Sequence, residues 1–152
     1  LPPNPVPQLS APDRMRSFTI TLEGGIKGGL TTAKLNGEAR DLRTLLQNGK
    51  GWAINGVAGP AAEPVFAAKR GETVRLNFIN RTAFAQPVHI HGHAWQVLGS
   101  DPPGPFQDTV VIPAAQTVSV AFTADNPGLW ALHSLVAERA DGGLVGTFTV
   151  NE

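Results

Sequence analysis

Apolar and polar residues alternate along most of this chain with the period of a half-buried strand. The first clear run opens at Arg16, where Phe18, Ile20 and Leu22 are interleaved with Thr19 and Thr21, predicting a strand with one face inward. The same period predicts strands over 52–55, 65–68, 73–79, 88–91, 95–98, 109–112, 118–122, 129–133 and 145–150. Turn chemistry separates most of them: Arg70-Gly71, Pro102-Pro103-Gly104, Pro113 and Asn126-Pro127-Gly128. Only over 39–48 does the period change, with Leu42, Leu45 and Leu46 at helical spacing and Gly49 as a stop. The glycine group Gly24, Gly25, Gly28 and Gly29 lacks the GK[ST] ending of a phosphate loop and reads as a flexible loop. Short strands at near-regular spacing with little helix predict an antiparallel sandwich or barrel.

The opening LPPNPVPQLSAP has few ladder donors and favours an extended chain, so residues 1–14 are expected to be a proline-rich linker or arm and 15–152 a single domain. Leu1 to Pro7 carry neither a basic stretch nor an apolar core, so any signal peptide is expected to have been removed or never to have existed.

Composition narrows the functions. At 152 residues the chain can bury a real core, and Lys+Arg 12 balances Asp+Glu 12. Nucleic-acid binding, which leans on excess positive charge, is not expected. No apolar run is long enough to span a bilayer as a helix. With Cys 0 there is no disulfide, thiolate nucleophile or cysteine metal ligand. No serine lies in a G-x-S-x-G elbow, and Ser134 directly follows His133, so on a strand the two face opposite ways. Asp108 reads as a turn cap, Glu138 and Asp141 as solvated charges, and Trp52, Trp95 and Trp130 as core.

The chemistry left over is histidine. All four (His 4) fall in two strand segments: His89, His91 and His93 at alternate positions, and His133. Residues two apart share a strand face, so His89 and His91 project together while Val88 and Ile90 face the apolar side. A third ligand from a neighbouring strand would close a metal site, and His133 is the remaining candidate. Neutral imidazole suits copper, zinc and nickel alike. The plainer reading of one His-x-His is surface decoration or adventitious metal binding.

The segment RTAFAQPVHIHGHAWQVL over 81–98 resembles the histidine-rich motif in the last cupredoxin domain of multicopper oxidases, the laccase-like enzymes. DTVVIP (108–113), ADNPGLWALH (124–133) and RADGGL (139–144) follow in the family's order, and WAING (52–56) and KRGETV (69–74) precede it. The resemblance covers roughly 52–150 and implies an all-β, cupredoxin-like Greek-key β-sandwich with one or two short helices. It implies that His89 matches a type 2 copper ligand, that His91 and His133 match type 3 ligands, and that His93 matches a histidine that is usually not a ligand. It also implies a periplasmic or secreted location.

The departures from the family carry as much meaning. Gln86, Ser134 and Arg139 stand where the family has the histidine, cysteine and histidine of type 1 copper. Leu144 stands at the axial methionine, and Leu135 at a histidine of the trinuclear centre. A blue-copper site without thiolate or imidazole has nothing to hold its metal. The resemblance therefore implies a laccase-family domain without type 1 copper, binding copper, or zinc, through the half of a trinuclear centre formed by His89, His91 and His133. As an isolated chain it is not expected to act as an oxidase. Two alternatives stand beside this: a metal-free structural or binding domain, and a domain whose partners, other cupredoxin domains or further copies of itself, complete the site.

Overall fold

A computed structural model describes residues 6–152. The first five residues of the proline-rich arm lie outside the described residues. The rest of that segment lies against the sandwich, where the Ser10 N–H donates to Thr73 Oγ1 at 3.0 Å and Thr123 Oγ1 donates to the Gln8 carbonyl at 3.0 Å.

The strands are β1 (Arg16–Gly24), β2 (Thr32–Leu35), β3 (Glu38–Asp41), β4 (Trp52–Ile54), β5 (Phe66–Lys69), β6 (Thr73–Asn80), β7 (Gln86–Ile90), β8 (Trp95–Val97), β9 (Phe106–Gln107), β10 (Thr109–Ile112), β11 (Thr117–Thr123), β12 (Gly128–Ser134) and β13 (Val145–Asn151). Helix α1 (Leu42–Gln47) follows β3, and α2 (Ala137–Asp141) lies between β12 and β13. One sheet runs β4-β1-β6-β11-β8-β9, and the other β10-β7-β12-β13-β5.

The sheets close face to face over the residues whose alternation marked the strands. Ile20, Leu22, Val74, Leu76, Phe78, Val120 and Phe122 come from one sheet. Val88, Ile90, Leu132, Phe148 and Val150 come from the other. Each such side chain contributes roughly 2 kcal/mol by leaving water. Phe66 stacks on Phe148 with centroids 4.9 Å apart, and Trp95 meets Phe78 edge-on at 5.7 Å. Trp95 is fully buried, whereas Trp52 and Trp130 only flank the core.

Three expectations change. The sandwich is not purely antiparallel: β1 runs parallel to β6, and β13 parallel to β5. Alternation reports which face is buried but says nothing of strand direction, which is set by long connections. The helix is shorter than 39–48, because residues 38–41 pair with β2 and Asp41 then starts α1, its Oδ1 accepting from the Thr44 N–H at 2.8 Å. Within the glycine group, Gly24 ends β1 with φ 109° and lies against the backbone of Gly51 and Trp52, so it serves close approach rather than looseness.

Candidate metal centre

His89, His91 and His133 cluster on the outer face of the second sheet. Along β7, Gln86, Val88 and Ile90 point into the core, so Pro87 and His89 point out. Along β12, Leu132 and Ser134 point in and His133 points out. Antiparallel register sets His133 directly opposite His89, where side chains of a cross-strand pair touch. On the other side of β7, edge strand β10 sets Thr109 opposite His89.

His91 lies one residue beyond β7, held by its N–H donating to the Ala131 carbonyl at 3.0 Å. Gly92 then turns the chain at φ 71° beneath the Trp130 ring. The Trp130 indole N–H donates to the Asn126 carbonyl at 2.8 Å, and Asn126 Nδ2 donates to the Gly92 carbonyl at 3.2 Å. His93 Nδ1 lies 3.2 Å from the His91 carbonyl and is its donor. Strand, turn and ring thus fix the peptide that carries His91.

The three imidazoles converge. Ring centroids are 4.7 Å apart for His89 and His91, 5.5 Å for His89 and His133, and 5.2 Å for His91 and His133. One nitrogen from each ring lies within 4.8 Å of the others. His89 and His133 are half-buried and His91 exposed. His133 Nδ1 is 2.8 Å from the Ser134 carbonyl. A carbonyl only accepts, so Nδ1 carries the hydrogen and Nε2 keeps a free lone pair. Packing around its ring is the first cause holding the His91 pKa below the ordinary histidine value, with neighbouring His89 and His133 pushing the same way, although His91 keeps an exposed edge. Beside His89 opens a cleft of about 480 Å³ whose lining includes His93, Asp108 and Asp125.

His93 is apart from this cluster. Its ring sits among Phe122, Trp130 and Phe148, with centroids 5.2 to 5.7 Å away. Burial lowers its pKa, and among the described residues Nε2 has no hydrogen-bond partner.

A family model for multicopper oxidases matches residues 34–152. The chain belongs to the multicopper oxidase family. It is 36% identical over 83 residues to the multicopper oxidase MmcO of Mycobacterium tuberculosis, a match covering 54% of this chain and 16% of that protein. It superposes with a TM-score of 0.73 on a multicopper oxidase of Pseudomonas thermotolerans at 23% identity, covering 99% of this chain and 32% of the other. The blue copper oxidase of Nitrosomonas europaea gives 0.69 at 23% identity, covering 93% and 46%. The fold is therefore the cupredoxin-like Greek-key sandwich, and the chain spans less than half the length of each of these relatives.

On the inward side of the same strands, this multicopper oxidase domain carries a hydrogen-bonded cluster around Gln86 and Arg139. Arg139, from α2, donates to Gln86 Oε1 at 2.9 Å and to the Ala85 carbonyl at 2.8 Å. Gln86 Nε2 donates to Thr82 Oγ1 at 2.8 Å. The Arg139 guanidinium lies over the Trp52 and Phe84 rings, 5.2 Å from each. Ser134 Oγ accepts the Val136 N–H at 3.1 Å, and Leu144 is fully buried. No thiolate or imidazole stands among Gln86, Ser134, Arg139 and Leu144.

Sequence reasoning missed the surroundings of His89. Asp108, read as a turn cap, places its carboxylate on the Thr109 hydroxyl at 2.9 Å, and that hydroxyl lies 3.2 Å from His89 Nδ1. The adjacency of Asp108-Thr109 to a strand was visible, but the register that brings it to His89 was not.

Proposed function

We propose that this domain lacks type 1 copper and holds copper, or zinc, through His89, His91 and His133, as one half of a trinuclear centre completed by another cupredoxin domain or a second copy of the chain. The observation that carries the reading is the convergence of three imidazole nitrogens within 4.8 Å on one outward face. Borderline-soft divalent ions favour such donors. Two imidazoles on one tetrahedral ion at about 2.0–2.1 Å stand only about 3.4 Å apart. Nitrogens within 4.8 Å of one another suit ligands shared over more than one ion, or a cluster that tightens on one ion on loading. Bound copper would supply one-electron redox chemistry, and zinc a Lewis acid.

The surroundings favour a covered face. Leu135 and Val111 are 52% and 57% exposed, and Pro87 joins them across the sheet through the register Val111↔Pro87 and the Leu135 N–H to Pro87 carbonyl bond. This apolar row borders the histidines and suits packing against another cupredoxin domain. Among the residues matched to type 1 copper, no group is left to pass electrons from a substrate, so the isolated domain, residues 15–152, is read as inactive as an oxidase. A periplasmic or secreted location follows from the family reading, and no helix among the described residues is long and apolar enough to cross a membrane.

Titration of metal-stripped protein with copper(II) and zinc(II), followed by calorimetry and absorption, tests the reading. Stoichiometric uptake without an intense blue band, abolished by His89→Ala with His91→Ala, is the expected result. Uptake no tighter than a surface histidine pair would leave a metal-free domain.

A further inference from the structure

From the hydrogen bonds beside His89 we infer that Thr109 and Asp108 are positioning residues that lock the His89 ring in the Nδ1–H tautomer and so aim a free Nε2 lone pair at the cluster. The inference rests on the proposed metal site and adds two residues that act through His89.

Thr109 Oγ1 carries one hydrogen. Asp108 Oδ1 lies 2.9 Å from that oxygen, and an ionised carboxylate can only accept, so the hydroxyl hydrogen is committed to Asp108. Toward His89 Nδ1, 3.2 Å away, Oγ1 then offers only a lone pair, so Nδ1 must be the donor. A neutral imidazole with its hydrogen on Nδ1 has its lone pair on Nε2. Asp108 Oδ1 is itself 3.8 Å from Nδ1, too far for a direct bond, so the hydroxyl is the necessary intermediate.

The backbone makes the arrangement hard to escape. Thr109 is paired with His89 in the β7/β10 register, and the Ile90 N–H donates to the Asp108 carbonyl at 3.0 Å, tying both residues to the strand that carries the ring. His133 reaches the same tautomer through the Ser134 carbonyl. Outer groups that orient a ligating imidazole typically change metal affinity 10–100-fold when removed.

The test reads the tautomer directly. Nitrogen-15 long-range correlation spectra of the metal-free chain, at a pH where His89 is neutral, should show Nδ1–H at His89 in the wild type and in Thr109→Ser. Thr109→Val should shift His89 toward a mixture of tautomers. Asp108→Ala, which frees the hydroxyl hydrogen to point at Nδ1, should raise the Nε2–H fraction. Zinc affinity should fall at least about tenfold in Thr109→Val and be restored in Thr109→Ser. Unchanged Nδ1–H in both Thr109→Val and Asp108→Ala would overturn the inference. A wild type that takes no zinc or copper would instead overturn the metal site, with the tautomer spectra still deciding the roles of Thr109 and Asp108.

Discussion

Arg139 shows how a single side chain reshapes a locus. Its guanidinium satisfies Gln86 Oε1 and the Ala85 carbonyl while lying over Trp52 and Phe84. Removing it leaves the fully buried Gln86 short of a partner, and unmade buried hydrogen bonds cost about 1–3 kcal/mol each. Arg139→Met is therefore expected to lower stability by about 2 kcal/mol in urea unfolding. An unchanged midpoint would mean that the network fills space without stabilising it. Asn80 is a second such residue: Nδ2 donates to the Phe84, Ile112 and Pro113 carbonyls, and Oδ1 accepts from Thr82. Asn80→Ala should cost on the order of 3 kcal/mol by the same measurement.

At the scale of elements, the turn after β7 decides where His91 stands. A Cβ on Gly92 would lie 2.6 Å from the Trp130 ring, and the residue holds φ 71°. Gly92→Ala should displace the indole, shift tryptophan emission to longer wavelength and destabilise the domain by roughly 1–2 kcal/mol. Metal uptake should weaken with it, and wild-type emission and affinity would show the turn to be compliant. Helix α1 offers a separate, pH-dependent case. Thr44, through its hydroxyl first and its backbone N–H second, holds the Asp41 carboxyl below the ordinary aspartate pKa. A lowered carboxyl pKa adds stability that is present above the ordinary aspartate value and lost as pH falls through the lowered one. Exchange of the Thr44 amide should accelerate over that acidic window in the wild type and show no such step in Asp41→Asn.

For the whole molecule, the proposed site links metal binding to stability, and to assembly if a second copy completes it. An ion that binds only the folded chain adds about 2.7 kcal/mol when free metal stands at 100 times Kd. Copper should thus raise the melting temperature of the wild type and leave His89→Ala/His91→Ala unmoved. If a second copy completes the centre, copper should also raise the solution mass. Leu135→Glu, placing a charge in the apolar row beside His133, should keep the copper-loaded chain monomeric. A mass indifferent to copper and chelator would remove completion by a second copy.

Much of this was written in the sequence. Alternation marked the buried face of β1, β6, β7, β12 and β13, because a strand repeats every two residues and burial in a sandwich selects one parity. The same parity put His89 on the outward face, and the ordered motifs from Trp52 to Leu144 carried the family. Residue identity alone could say that Gln86, Ser134, Arg139 and Leu144 are poor copper ligands. It could not say that Arg139 would bond Gln86, since 53 residues separate them and only the packing of α2 against the sandwich joins them. Strand direction, the His133↔His89 register and the Thr109–Asp108 contact are likewise tertiary facts. They depend on which strands become neighbours and at what offset, a choice made by the whole core and by no local pattern.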